Sequence, residues 1–188
     1  MKLYSVGRPA VREALQGLER MGLVSIVHGE RARVLALSPE SVMSQMSDTA
    51  VHLLASSKDL LVHFKEARLM FETGMARTAA ERATESDVSM LRKALEMQRA
   101  SIADPGKFLR ADIAFHRAVV SISQNPICVA VVQGMLNWMA TANSNVDQSA
   151  QDADQTLRDY ESIVKSIAAR DPHGAAKAMA EYLTRATK

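Results

Sequence analysis

Apolar residues recur every three to four positions along nearly the whole chain, and the interruptions divide it into elements. Val11, Leu15, Leu18 and Met21 draw one helical face, with Pro9 suited to the first turn and Gly22 predicting a left-handed stop. The period then shortens. Leu23, Val24, Ile26 and Val27, followed by Val34 and Leu35, form two β-prone runs around His28-Gly29-Glu30, which predicts a short hairpin.

From Ser38-Pro39-Glu40 onward only helical periodicity remains, and Ser38 is placed to cap a fresh start. The pattern predicts helices over 39–56 and 58–82. Thr84-Glu85-Ser86-Asp87 resembles a capping box and opens a third helix to about Ser101, with Val88, Leu91 and Leu95 on its apolar side. Asp104-Pro105-Gly106 starts a fourth to about Ser123, and Asn125-Pro126 a fifth to about Ala142. The polar stretch Asn143–Asp154 reads as a loop or frayed end. Helices over 155–170 and from Pro172 to the C-terminus complete an antiparallel bundle. The fold class is thus all-α, with six to seven helices over 38–188 preceded by a small helix-and-hairpin module over 1–37.

Composition supports this picture. Of 188 residues 47% are hydrophobic and only 4% aromatic, with 11 methionines, which favours straight-chain helix formers over a sheet protein. The formal charge of +2 hides an asymmetry: Lys2, Arg8, Arg12, Arg20, Arg31 and Arg33 face only Glu13, Glu19 and Glu30 in the first 35 residues. A single cysteine, Cys128, excludes an intramolecular disulfide, and no stretch has the apolar length of a membrane span or signal peptide. The expectation is a cytoplasmic protein with no membrane partner.

Three groups of residues could carry chemistry. Arg8 and Arg12 open a helix in the basic module and could meet guanine edges or phosphates, with the wing tip His28-Gly29-Glu30-Arg31 beside them; the alternative is the solvated face of an amphipathic helix. Asp112 and His116, spaced i, i+4, share a helix face and could hold two positions of a divalent metal, or form a hydrogen-bonded core pair. Arg68 sits in a largely apolar helix and needs an anionic partner, either Glu72 one turn on or a ligand. Met70, Met75, Met90, Met97, Met135 and Met139 read as core filling, and Phe115 and Trp138 as core or pocket wall. No Gly-rich nucleotide loop, nucleophile elbow or HExxH is present, so nothing points to an enzyme.

Val6-Gly-Arg-Pro-Ala-Val-Arg-Glu-Ala-Leu-Gln-Gly-Leu-Glu-Arg-Met-Gly-Leu-Val resembles the recognition helix and wing entry of a GntR-type bacterial transcription regulator. Residues 60–183 resemble the helical FCD ligand-binding domain of the FadR subfamily, through Glu66-Ala-Arg-Leu-Met-Phe-Glu72, Asp112-Ile-Ala-Phe-His116, Asn125-Pro126 and Ile163-Val-Lys-Ser-Ile-Ala-Ala-Arg-Asp171. Val6-Gly-Arg-Pro with Gly29-Glu-Arg-Ala-Arg-Val is most similar to the sialic-acid catabolism regulators. The resemblance implies a homodimer that binds operator DNA and responds to a small carboxylated metabolite, a sugar or organic acid. It implies DNA contacts from Arg8, Arg12, His28, Gly29 and Arg31, and a pocket Arg68 that faces the effector or the metal. It also implies that Asp112 and His116 are two of four metal-holding residues.

Two departures modify these expectations. The positions of the other two metal-binding histidines hold Tyr160 and Tyr182, and a phenol with a pKa near 10 is a poor ligand for zinc or nickel at neutral pH. The expectation is no metal, or a weakly bound divalent one, and a pocket where both phenols meet the effector beside Arg68, Asp112 and His116. Family members also carry two further helices ahead of the recognition helix, whereas this chain begins immediately before it. The expectation is a truncated regulator, with a stand-alone sensor lacking DNA binding as the alternative and a metalloenzyme as a remote one.

Overall fold

In the computed structural model, which describes residues 7–27, 29–142 and 150–185, nine helices and one two-stranded sheet are formed. The N-terminal unit consists of α1 (Arg8–Arg20), β1 (Val24–Ser25) and β2 (Arg33–Val34), the strands pairing antiparallel with Val24 opposite Val34. Pro9 lies in the first turn of α1. Gly22, at φ +67°, ends it: the N–H groups of Gly22 and Leu23 donate to Glu19 and Leu18 carbonyls at 2.8 and 3.0 Å, the paired bonds of a Schellman cap. Glu19 Oε1 then accepts from the Ile26 N–H at 3.0 Å, tying the hairpin back to the helix.

The remaining helices are α2 (Pro39–Gln45), α3 (Ser47–Ser56), α4 (Lys58–Arg82), α5 (Glu85–Ala100), α6 (Pro105–Ser121), α7 (Pro126–Ala142), α8 (Ala150–Ala168) and α9 (Pro172–Arg185). Their starts are capped where the polar residues predict: Ser38 and Ser41 exchange bonds at α2, Thr84 and Asp87 at α5, and Asp104 accepts from the Lys107 N–H at α6. The bundle therefore has eight helices among the described residues, because the single helix expected over 39–56 is two. At Met46 the backbone stays right-handed while ψ opens to −13°, so the apolar period runs on while the helical hydrogen bonding breaks. The bend lets α2 pack mainly on α7 and α3 reach both α7 and α4. α8 starts at Ala150 rather than near 155, since the largely polar residues preceding Leu157 form its first two turns; of the stretch expected as a loop, 143–149 lies outside the described residues.

Two apolar clusters hold the bundle. In the larger one, Ala76, Ala79 and Ala80 of α4 and Ala83 just after it pack with Ala175, Ala178 and Met179 of α9, and small side chains on both helices bring their backbones close. Leu91 and Leu95 of α5, Phe115 and Val119 of α6 and Leu157, Tyr160, Ile163 and Ile167 of α8 complete it. Val120, Val132 and Leu136 centre a smaller cluster between α6 and α7. Met135 and Met139 are buried as expected, but Met70, Met90 and Met97 are exposed: their positions on α4 and α5 face away from neighbouring helices, and a straight-chain thioether serves there as a helix former.

Candidate functional site

Four helices place their polar side chains at one point inside the bundle. Arg68 and Glu72 lie one turn apart on α4, Asp112 and His116 one turn apart on α6, Tyr160 on α8 and Tyr182 on α9. The i, i+4 spacing in each pair turns both members to one face, and α4, α6, α8 and α9 all contribute to the larger apolar cluster. Arg68, Glu72, His116, Tyr160 and Tyr182 are all buried, and Asp112 is half-buried.

Glu72 is the hub of one half. Its Oε1 accepts from Arg68 Nε, and its Oε2 is bonded to His116 Nδ1. A carboxylate partner assigns the Nδ1 proton to His116, leaving Nε2 with a free lone pair when the ring is neutral. Burial works against the charge of Glu72, but His116 and Arg68 more than offset it and hold the carboxyl at about 2. Burial likewise opposes the Arg68 charge, while Glu72, Tyr182 and Asp112 outweigh it and keep the guanidinium protonated.

Asp112 is the hub of the other half. Its Oδ1 accepts from both phenols, from Tyr182 at 2.8 Å and also from Tyr160, and the phenol oxygens lie 3.2 Å apart. Burial, followed by the Asp112 charge, pushes both phenols well above their usual pKa, so each stays a protonated donor. Phe115 stacks on the Tyr160 ring at 3.8 Å between centroids, and Arg185 lies 5.8 Å over the Tyr182 ring while bonding Asp159 on α8 at 2.7 Å. These contacts fix the rings from outside.

The five residues expected at an effector site are thus brought together. The expected choice for Asp112 and His116 between a mutual core pair and a metal pair takes a third form, because each is held by a partner distant in sequence. The residues do not fit a resident divalent metal. Asp112 already accepts hydrogen bonds from two neutral phenols, His116 offers one nitrogen, and no group of three or more His, Cys, Asp or Glu is arranged to hold a metal among the described residues. What remains unsatisfied has a different character: Arg68 Nη2 and His116 Nε2 are buried with no hydrogen-bond partner. Such atoms are costly to bury unless something completes them.

In the N-terminal unit, Arg8, Val11, Arg12, Leu15, Ile26 and Gly29 border one groove between α1 and the hairpin. Arg8, Arg12, Gly29 and Arg31 are exposed, and Gly29 at φ +83° makes the tip in a conformation that side chains disfavour. His28 lies outside the described residues.

Sequence reasoning identified Arg68, Glu72, Asp112, His116, Tyr160 and Tyr182 but missed Glu72 as the bridge to His116, 44 residues away. It also missed Gln98, fully buried on α5 with both amide atoms unpartnered. The available signal was a polar side chain continuing the stripe Leu91, Leu95 at helical spacing. No helix of the described residues is long and apolar enough to cross a membrane.

Comparison with known proteins places these features in context. The family profile of the FCD domain matches residues 64–185. The HTH-type transcriptional repressor NanR of Cronobacter sakazakii is 39% identical over 185 residues, covering 97% of this chain and 71% of that protein. NanR of Klebsiella aerogenes is 38% identical with the same coverage. Among solved structures, Streptococcus agalactiae GntR superposes with a TM-score of 0.69 at 21% identity, over 98% of this chain and 83% of that one. E. coli McbR/YncC superposes with a TM-score of 0.64 at 17% identity, over 94% and 80%. At these identities the two structures share the fold.

Proposed function

We propose, from the premise that the chain belongs to the GntR-family transcription regulators with an FCD domain and is similar to their NanR branch, that its operator affinity is set by a small acid bound in the helical domain. By that membership it is a DNA-binding regulator of transcription and not an enzyme. One observation carries the effector reading: Arg68 Nη2 and His116 Nε2 are left buried and unpaired on either side of Glu72. A guanidinium N–H favours a carboxylate, and His116 Nε2 favours a hydroxyl, which can donate to a ring nitrogen or accept from a ring N–H. A sugar acid with a hydroxyl next to its carboxylate answers both needs at once.

The effector binds without a metal. Asp112, Tyr160 and Tyr182 are already satisfied by one another, so a ligand entering beside them exchanges phenol–carboxylate bonds for phenol–ligand bonds. Because the tyrosines belong to α8 and α9 while Asp112 belongs to α6, that exchange shifts helices relative to each other. A signal arises only if the two arrangements bind the effector with different affinity. The regulator acts as a homodimer, with Arg8 and Arg12 directed to the major groove and the hairpin with Gly29 and Arg31 alongside. Phosphate contacts make operator affinity fall steeply with salt.

Titration calorimetry of chelator-dialysed protein with N-acetylneuraminate, D-glucuronate, D-galacturonate and pyruvate tests the effector reading. We expect at least one acid to bind at one per chain, and Arg68→Lys, which keeps the charge but loses Nη2, to weaken it at least tenfold. Binding that appears only after zinc or nickel is added, or near-stoichiometric metal in protein purified without chelator, would refute the metal-free site. Acid binding unaffected by Arg68→Lys would refute the role of Arg68.

A further inference from the structure

We propose that Gln98 reads the neutral polar end of the effector, a hydroxyl or amide group carried at a distance from the carboxylate. The inference rests on the reading of an acid bound at Arg68 and His116 and extends the site to a second wall. Among the described residues, the buried side-chain atoms without a partner belong to three residues: Arg68, His116 and Gln98. The first two lie at the effector site. Gln98 has 0% exposure, and both its Oε1 and its Nε2 are unpaired.

The placement of Gln98 follows from the packing. Among the described elements α5 packs on α6 and α8, the helices of Asp112 and Tyr160, so a fully buried α5 side chain lies between them. Arg99 bonds Glu161 on α8, which brings Gln98 to the level of neighbouring Tyr160. The α5–α6 turn is closed by the Asp104 N–H on the Ser101 carbonyl, so Gln98 stands opposite the first turns of α6. Asp112 is then about 7 Å further along that helix axis at ~1.5 Å per residue.

The chemistry at this wall differs from that at Arg68. Leu91 and Leu95 precede Gln98 on the buried face of α5, where packing alone favours another apolar residue. A primary amide is among the costlier neutral groups to bury unpaired, and it offers one acceptor and two donors with no charge. That complement suits an N-acyl or polyol group and adds nothing for a short acid. Gln98 therefore separates extended sugar acids from small carboxylates, since a buried polar group left unpaired discriminates strongly against a ligand lacking its counterpart.

Gln98→Met, of similar volume and without the amide, tests this by calorimetry with N-acetylneuraminate, pyruvate and the neutral N-acetylglucosamine, alongside urea unfolding of the ligand-free protein. We expect a ligand-free midpoint no lower than that of the native chain and an affinity for N-acetylneuraminate at least tenfold weaker. Any pyruvate binding should stay within twofold. Unchanged N-acetylneuraminate affinity would overturn the proposal, as would a lowered midpoint with unchanged binding, which would assign the amide to a structural water. If only the neutral sugar binds and Gln98→Met abolishes it, the acid reading fails while Gln98 keeps its role. If the native chain binds none of the three, both fail.

Discussion

Replacing Glu72 with Gln isolates the electrostatic hub of the bundle. The substitution keeps the volume but removes the charge that compensates Arg68, whose side chain is only 8% exposed. The new amide can accept from Arg68 while presenting N–H to His116, which keeps that bond only by moving its ring proton to Nε2. Breaking a buried pair from one side costs about 3–5 kcal/mol, and the remaining influence of Asp112 on Arg68 favours the lower end. The carboxyl itself agrees: held at about 2 against an ordinary 4.5, its charged form is favoured by about 3 kcal/mol in the folded state. With ~2–3 kcal/mol per molar urea for a bundle of this size, the urea midpoint at pH 7 should fall by about 1–1.5 M. Because the folded pKa lies below the unfolded one, this contribution is complete above pH 4.5 and lost as pH falls towards about 2. The gap between native chain and Glu72→Gln, followed by circular dichroism at 222 nm, should therefore narrow over that interval. A midpoint change below about 0.3 M at pH 7, or a gap that does not shrink in acid, would refute the reasoning.

Other substitutions probe separate supports. Tyr160→Phe removes one of the two donors to Asp112 and should cost about 1–3 kcal/mol, since the carboxylate keeps Tyr182; chemical denaturation of the single variant checks it, and a neutral result would show the phenol to be dispensable. Phe115→Ala empties a fully buried site against the stacked Tyr160 ring, and a loss of about 3–5 kcal/mol in the same experiment is expected. Gly22→Ala places a Cβ at φ +67° and 2.1 Å from Gln45 Nε2, so Gln45 must swing aside. The left-handed backbone adds about 1–2 kcal/mol. Amide exchange should quicken at Leu23, whose N–H closes the cap, while protection of α4–α9 stays unchanged.

Helix type and position were legible in the sequence wherever a single physical cause acts locally. Ser38, Thr84 and Asp104 cap because their short oxygens reach free N–H groups within three residues, and Gly22 stops α1 because its missing Cβ permits a positive φ. The Arg68–Glu72 pair was equally visible, being one helical turn apart. The division of 39–56 was hidden because Met46 changes the helix axis without leaving right-handed backbone. The true start of α8 was hidden because its first two turns carry only alanine as apolar side chains.

What the chain determined by itself was therefore its helices, their apolar faces and which polar side chains share a face. The partner of each polar side chain was decided only by packing. His116 meets Glu72 and not Asp112, and Asp112 meets two phenols 48 and 70 residues away, because four helices converge there. Periodicity orients a side chain about its own helix axis, but a hydrogen bond between helices also depends on how far each has slid and turned against its neighbours. Those offsets come from the packing of Ala76, Ala79 and Ala80 with Ala175 and Ala178, and from the stacking of Phe115 on Tyr160. The same convergence leaves Arg68 Nη2, His116 Nε2 and the Gln98 amide buried without partners, a condition of the assembled bundle that no single helix carries.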